Sequence, residues 1–359
     1  MTALRLRRVD LSPDPAPTAD GLILRVEGDD GRVGRGEAVA RVGFSPPYAT
    51  LVAGGRGLAQ RLVGARLSDV DAIAALSAAL GEAGVASPLR FAVDSALLDL
   101  LGQAGGCSAA SLLGAPAAAI ERNALLGPAV GAARAGGLHL PAALADLRAR
   151  GFATVKVKAR GPWPEEQVRL RPLGRPGIPR PALRVDCNGS IPPELAPAMV
   201  AALGELAPEY VEEPVAGLSA AAWAELAALP GAPRLAVDES ALTEPAWREH
   251  LEVGAARVAV IKPAFVGGLF VARRRAHEAW ARGVEVVITS ALDGAVGVAA
   301  AAQLALALAG DGRGRALAAG LNARPEAPRP GGLAADRPTI ELPRRPGLGL
   351  DEVAAGGGA

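Results

Sequence analysis

Apolar and polar positions alternate with a period of two over residues 4–11 and again over 22–27. Asp29-Asp30-Gly31, just before Val33, is a turn signal, so the chain is predicted to open as an antiparallel meander. Gly36-Glu37-Ala38 follows, then a Gly, Ser and Pro loop over 41–48. From about 51 to 101 the period lengthens to that of helices, with Phe91, Ser95, Leu98 and Leu101 on one stripe. This opening stretch reads as a small α+β domain.

Near Glu121 the rhythm changes. Short apolar runs at 123–126, 152–158, 183–187, 210–213, 235–238, 258–262 and 284–289, with a weaker one at 317–320, alternate with Ala- and Leu-rich helical segments. Strands alternating with helices imply a parallel sheet of βα units, and seven or eight units fit a (β/α) barrel, whose usual length is roughly 250 residues. A doubly wound open sheet competes, but no G-x-G-x-x-G or Walker A sequence stands where it would need one. The tail from Ala323 is rich in Pro and Gly, yet 339–342 alternates, which predicts a return strand onto the first domain before a disordered 356–359. The expected α/β organisation is an α+β capping domain over 1–120, completed by 323–354, and a (β/α)7β barrel, a modified TIM barrel, over 121–322.

Composition narrows the function. A formal net charge of +1 and 3% aromatic residues give no basic field or stacking surface for nucleic acid and no polybasic arm for a membrane. Two cysteines, Cys107 and Cys187, are too few for a disulfide framework or a structural zinc site and suggest a reducing compartment. The first ten residues lack the apolar core of a signal peptide, and the most apolar helical stretch, 295–309, is too short to span a bilayer. The expectation is a cytoplasmic monomer or homo-oligomer acting on a small-molecule carboxylate.

The cations change the picture further. Of 38 Lys plus Arg only three are lysine: Lys156, Lys158 and Lys262. Where Arg serves as the general cation, a lysine marks a position where Arg would fail, and lysine can lose its proton and act as a base where Arg cannot. Lys156 and Lys158 alternate with Val155 and Val157, which places both ammonium groups on one face of a strand. Alone, such a run is a solvated edge strand; the acids downstream alter that reading.

Lys158, Asp186, Glu212, Asp238 and Lys262 close five successive predicted strands at intervals of 28, 26, 26 and 24 residues, one βα unit each. Carboxyl ends of barrel strands converge on one mouth, where the chemistry of this architecture sits. Taken singly, Asp186-Cys187-Asn188-Gly189 is a turn, Glu212-Glu213-Pro214 two solvated acids and Asp238-Glu239-Ser240 a helix cap; the kept period joins them. Three acids between lysines suit a divalent cation with oxygen ligands, Mg²⁺ or Mn²⁺. His139, His250 and His277 fall in helical or loop segments and are expected at the surface rather than as ligands. Side-chain parity gives the metal Asp238 rather than Glu239, turns Glu213 away, leaves Cys187 to packing, and frees Glu239 to bond Lys262 or an outer-shell group. A cation that holds a substrate carboxylate makes the α-proton removable, because it and nearby ammonium groups stabilise the enediolate. Lys156 beside Lys158 supplies a like charge that, together with a nearby metal, lowers a lysine's pKa toward a base's range.

These residues resemble the enolase superfamily, in its muconate-cycloisomerase-like branch with a K-x-K pair. The resemblance is carried by residues 36–38 and 91–100, then VKVK at 155–158, VDCN at 185–188, VEEP at 211–214, VDES at 237–240 and VIKP at 260–263. It implies an α+β cap on a (β/α)7β barrel, Asp186, Glu212 and Asp238 as Mg²⁺ ligands, and Lys158 and Lys262 flanking the substrate. Within the branch the chain is most similar to o-succinylbenzoate synthases, through 261–268, 289–297 and 346–350. That family performs a syn dehydration of a cyclohexadiene carboxylate bearing a succinyl chain, giving an aromatic ring, in menaquinone biosynthesis. The likeness implies that Lys158 removes the α-proton and then protonates the departing hydroxide, while Lys262 stabilises the enediolate as a cation over the ring. Asn188, Gly268, Ser290 and Glu239 would line the pocket, and the 42–45 loop, with Phe44 and Ser45, would close over it. Gly294-Ala295 replaces hydroxyl residues often found in that family's strand-seven loop, which bears on substrate contacts. N-succinylamino acid racemases and dipeptide epimerases use the same parts, with both lysines exchanging protons. A barrel that only binds an organic anion is the third reading, and it gives two flanking lysines no task.

Overall fold

The computed structural model describes residues 3–15, 20–127, 140–174, 180–291, 293–322 and 337–351. The opening meander forms a four-stranded antiparallel sheet in which β1 (Leu4–Pro13) lies between β2 (Gly21–Gly28) and β4 (Arg66–Leu67), and β3 (Val33–Val39) pairs with β2. Gly31, at φ 80°, supplies the left-handed residue the β2–β3 turn needs. Helices Tyr48–Gly55, Leu58–Leu62, Val70–Glu82 and Ser87–Gly105 follow. The last was expected to bury one stripe. It is instead buried nearly all round from Pro88 to Gly102, because it runs between the cap sheet and the barrel and meets neighbours on both sides. Gly34 and Gly36 let β3 approach it: a Cβ on either would overlap the carbonyl oxygen of Ala96 or Ala92.

The barrel runs β6 (Ala124–Leu126), β7 (Thr154–Lys158), β8 (Ala182–Asp186), β9 (Tyr210–Glu212), β10 (Leu235–Val237), β11 (Val258–Ile261) and β12 (Glu285–Ile288), a parallel sheet in sequence order. The weak eighth strand forms no ladder. It closes the sheet through single parallel bridges, Val286 with Ala316 and Thr289 with Gly320 on one side and Arg122 with Ala319 on the other. Along this segment single bridges to the two neighbours alternate. Inside, Tyr210, Ala236, Val258, Val260, Val287 and Leu317 pack together. Arg184 lies over the Tyr210 ring at 5.0 Å, pairs with Glu209, and donates to Asn123 Oδ1 and the Ala318 carbonyl. That largely apolar floor leaves the strands' carboxyl ends as the polar end of the barrel.

β5 (Ala119–Glu121) pairs antiparallel with β13 (Thr339–Glu341), the predicted return strand. Beyond it the Leu348 amide donates to Asp99 of the cap helix at 2.9 Å. Residues 323–336, the expected disordered 356–359 and His139 lie outside the described residues. Of the other histidines, His277 sits beside Asp311 and is half-buried, while His250 is not a surface residue as expected: it packs edge-on against Trp223, ring centroids 5.5 Å apart. Among the described residues no helix is long and apolar enough to cross a membrane.

Asp94 of the cap helix is buried, which pushes its carboxyl up to about 7 against the opposing pull of nearby Ser77, the Leu269 and Phe270 amides and the Arg90 charge. The folded chain therefore keeps this proton over a range where the unfolded chain, at 3.8, has released it, so stability falls as pH rises through that window. Asp94→Asn should remove a decline of about 4 kcal/mol, the order expected for three pH units. Denaturant unfolding of both proteins at a series of pH values measures the difference, and parallel curves would refute it.

Candidate active site

Strand register assembles the site. Lys158 pairs with Asp186 across β7 and β8, and Asp186 with Glu212 across β8 and β9; Asp238 and Lys262 stand one residue beyond β10 and β11. Asp186 and Glu212 have no solvent exposure, and Asp238 is 4% exposed. Lys156 Nζ lies 2.8 Å from Asp186 Oδ2 and 2.7 Å from Glu212 Oε1. Lys158 Nζ lies 2.7 Å from the same Asp186 oxygen, and Lys262 pairs with Asp238. The mouth is thus a row of three buried acids with an ammonium at each end and a third beneath, between the first two acids.

Burial raises Glu212 to about 7, helped by Asp186 and opposed by Lys156, and raises Asp238 to about 6 against the Lys262 charge. Burial works against ionised Asp186 too, but Lys156 and Lys158 together hold it below the usual carboxylate range. For Lys156, burial favours the neutral amine, yet Asp186 and Glu212 outweigh it and hold the pKa well above the ordinary value. Among the protein's own groups, then, the neighbouring acids set the sign at Lys156, whereas the expected lowering invoked a nearby metal as well as a like charge. Lys262 is raised in the same way by Asp238 and Glu239, over the opposing effect of burial.

Around this row several polar groups are fixed. Asn188, at φ 44°, accepts at Oδ1 from Lys158 Nζ (2.7 Å) and Arg160 Nε (2.9 Å) and donates from Nδ2 to Glu239 Oε1 (3.1 Å). Asparagine tolerates the left-handed region better than most residues, and the Asn188 amide donates to Asp186 Oδ1 at 3.0 Å in that conformation. Glu239 thus braces Asn188, which itself bonds Lys158 and Asp186: of the two expected partners, Lys262 or an outer-shell group, it takes the second. Glu213, also at positive φ, turns away from the row as parity predicted and accepts from the backbone amides of Asp238 (3.0 Å) and Ser240 (3.2 Å) and from the Ser240 hydroxyl. Burial pushes its own carboxyl up to about 8. Cys187 is packed in the core.

The cap reaches the mouth at one ring. Phe44 lies over Lys262 Nζ, 4.1 Å from the ring centroid, and its ring is 5.3 Å from that of Phe265. Its neighbour Ser45 faces its own loop, accepting from the Arg41 amide at 2.8 Å. Ser290 exchanges hydrogen bonds with the backbone of Asn322. Gly268 lies against Asp94 of the cap, where a Cβ would overlap the carboxylate. Sequence reasoning passed over Arg160 and the bracing role of Glu213; Arg160 is two residues beyond Lys158, a spacing that already puts it on the same side. A groove of about 920 Å³ bounded by Trp163, Met199 and Leu206 lies outside the barrel wall and shares no residue with this row.

A cap of antiparallel sheet and helices on a parallel barrel, with acids and lysines at the strand ends, defines a two-domain barrel enzyme class. Residues 4–114 match the family described as "Mandelate racemase / muconate lactonizing enzyme, N-terminal domain", and residues 139–352 match "Enolase C-terminal domain-like". The chain therefore belongs to the mandelate racemase/muconate lactonizing enzyme family of the enolase superfamily, on its muconate-lactonizing side. A muconate cycloisomerase from Azorhizobium caulinodans is 25% identical with TM-score 0.78, covering 98% of this chain and 96% of its own. A dipeptide epimerase from Enterococcus faecalis V583 is 23% identical with TM-score 0.81, covering 97% and 99%; another structure of that epimerase holds Mg and the dipeptide L-Leu-L-Tyr, at 21% identity, TM-score 0.81 and the same coverage. No curated protein sequence matches at a significant level.

Proposed function

We propose that the chain is an o-succinylbenzoate synthase: a Mg²⁺-dependent lyase that removes water from a hydroxylated cyclohexadiene carboxylate bearing a succinyl chain. The observation that carries this reading is the position of the lysines, Lys158 on Asp186 at one end of the acid row and Lys262 on Asp238 at the other. Proton removal beside a carboxylate needs a base on one side and a fixed positive charge on the other, and this row offers both.

The residues present fit the cation. Asp186, Glu212 and Asp238 offer only oxygen, the donor Mg²⁺ prefers, and Asp186 Oδ2, though close to two ammonium groups, has no aligned hydrogen bond. Among the described residues no three acids, histidines or cysteines close on a metal position, since each acid of the row faces a lysine. Burial first, then a neighbouring carboxylate (Asp186 beside Glu212, Glu239 beside Asp238), raises the pKa of Glu212 and Asp238, a cost that a divalent charge offsets. Mn²⁺ has the same ligand taste. Bound there, the cation would polarise the substrate carboxylate and stabilise charge developing on it.

The chain's own groups do the rest. Lys158 Nζ, oriented by Asn188 Oδ1, takes the α-proton and returns it to the departing hydroxide on the same face. Lys262 stays protonated, held by Asp238, and faces the ring as the enediolate forms. Lys156 fixes Asp186 and Glu212 relative to each other. Phe44 and Phe265 supply a flat apolar wall next to Lys262, a surface suited to a planar unsaturated ring.

A second reading has its own support: lysines at both ends of the row suit two-sided proton exchange, and a dipeptide epimerase is among the structures that share this fold. N-succinylamino acid racemase or dipeptide epimerase activity would follow. The discriminating experiment compares dehydration of the succinyl cyclohexadiene substrate, with and without EDTA, against deuterium wash-in on N-succinylamino acids and dipeptides. EDTA-sensitive dehydration with little wash-in is the expected result; wash-in without dehydration would replace the first reading by the second.

A further inference from the structure

Two successive barrel helices, Leu269–Trp280 after β11 and Ala295–Asp311 after β12, begin without a capping side chain of their own: their N-cap residues are Gly268 and Gly294. Leading helix amides have no partner within the helix and need an acceptor from elsewhere. The cap domain supplies both acceptors. Asp94 Oδ2 accepts from the Leu269 amide at 2.8 Å. Glu37 accepts from Gly294 through Oε1 at 2.6 Å and from Gly297 through Oε2 at 2.9 Å. Both carboxyl groups are buried, and each offers its oxygens at the start of a helix, where the leading amides need an acceptor.

The two turns involved are the ones that leave the mouth. Lys262 opens the short helix Pro263–Val266, which runs through Gly267 and Gly268 into the amide that Asp94 holds. Gly268, at φ 106°, has no Cβ to keep the carboxylate out. Ser290, at the end of β12, leads through Asp293 into the amides that Glu37 holds. Phe44 lies seven residues after Glu37 on the same stretch of cap and touches Lys262 itself.

We propose that Glu37 and Asp94 are positioning residues for the reaction: buried acids of the cap that hold the leading amides of the sixth and seventh barrel helices and thereby fix the Lys262 segment under Phe44 and the start of the helix that follows β12. The proposal rests on the role given to Lys262 above. It assigns Gly268 to the joint between cap and barrel, and it means that the cap cannot shift without moving Lys262.

Amide hydrogen exchange on the full chain tests the clamp without any turnover. In Asp94→Ala, exchange at Leu269 and its neighbours should accelerate by about a hundred-fold while the β7 and β8 amides keep their protection; in Asp94→Asn, whose side-chain oxygen still accepts, protection should largely return. With Mg²⁺ loaded, kcat for whichever substrate the wild type turns over should fall by about a hundred-fold in Asp94→Ala, the scale of a misplaced catalytic group. KM should move less than three-fold, and Asn should rescue kcat. Glu37→Gln, which turns an NH₂ toward one of its two amides, should show the same split with exchange rising at Gly294 or Gly297. Wild-type exchange at Leu269 in Asp94→Ala overturns the proposal, as does faster exchange with unchanged kcat. Should Asp94→Ala fail to fold, Glu37→Gln and Asp94→Asn carry the same outcomes. A wild type inactive on every substrate offered would count against the proposed function alone, because the exchange result stands apart from it.

Discussion

Replacing Lys158 by alanine should lower turnover by about four orders of magnitude, the upper range for losing a general base, while product and Mg²⁺ still bind. Lys158 stands at the end of β7 with Nζ 2.7 Å from Asp186 Oδ2 and 2.7 Å from Asn188 Oδ1, so its removal leaves the acid row otherwise intact. Lys156 still neutralises Asp186, through the same Oδ2. Lys158→Arg is the more informative variant. It keeps the charge and the pairing but cannot give up a proton at working pH, so its activity should be nearly as low as that of alanine. Steady-state rates with titration calorimetry of product settle the matter, and an arginine variant with a tenth or more of wild-type turnover would remove Lys158 from the role of base. Lys262→Arg should be milder, because a fixed cation facing a ring is a task a guanidinium performs.

The difference between these two lysines was partly legible in the chain. Three lysines among so many arginines mark positions where the ability to lose a proton, or the compact shape of an ammonium, matters, and the regular spacing of Lys158, Asp186, Glu212, Asp238 and Lys262 follows from the repeat length of a βα unit. Local pattern also located seven barrel strands and the hairpins of the cap. What it did not reveal depends on contacts between distant segments. The bond from Leu269 to Asp94 spans 175 residues and those from Gly294 and Gly297 to Glu37 span 257 and 260, so nothing near the glycine N-caps announces the missing acceptor. The sign of the Lys156 shift depends on how close two acids on neighbouring strands lie, a distance no spacing supplies. Burial of His250 depends on Trp223, which approaches from another helix. The motif segments 91–100, 261–268 and 346–350 carried the family resemblance, and the structure gives several of their residues one shared task. Asp94 meets the Gly268 turn and Asp99 meets Gly347 and Leu348, so part of what these motifs record is how cap and barrel join.

Gly36→Ala should therefore damage stability and activity together, by a route that starts far from the acid row. A Cβ there would overlap the carbonyl oxygen of Ala92 in the backbone of helix Ser87–Gly105, and a backbone atom cannot swing aside as a side chain can. β3 and the helix must separate, and overpacking of this kind costs about 3 kcal/mol or more. Separation at Gly36 displaces the next residue, Glu37, whose two oxygens hold Gly294 and Gly297. It also strains Ala92, two residues before Asp94 on the helix that holds Leu269. Thermal and denaturant unfolding should register the cost, and Gly43→Ala, where no atom lies within 4 Å of the new Cβ and only the φ of 84° is unfavourable, should cost far less. If the two alanines destabilise equally, contact with the cap helix does not set the position of β3. If Gly36→Ala is destabilised but its folded fraction keeps wild-type kcat, the link from β3 through Glu37 to the mouth is broken as an explanation.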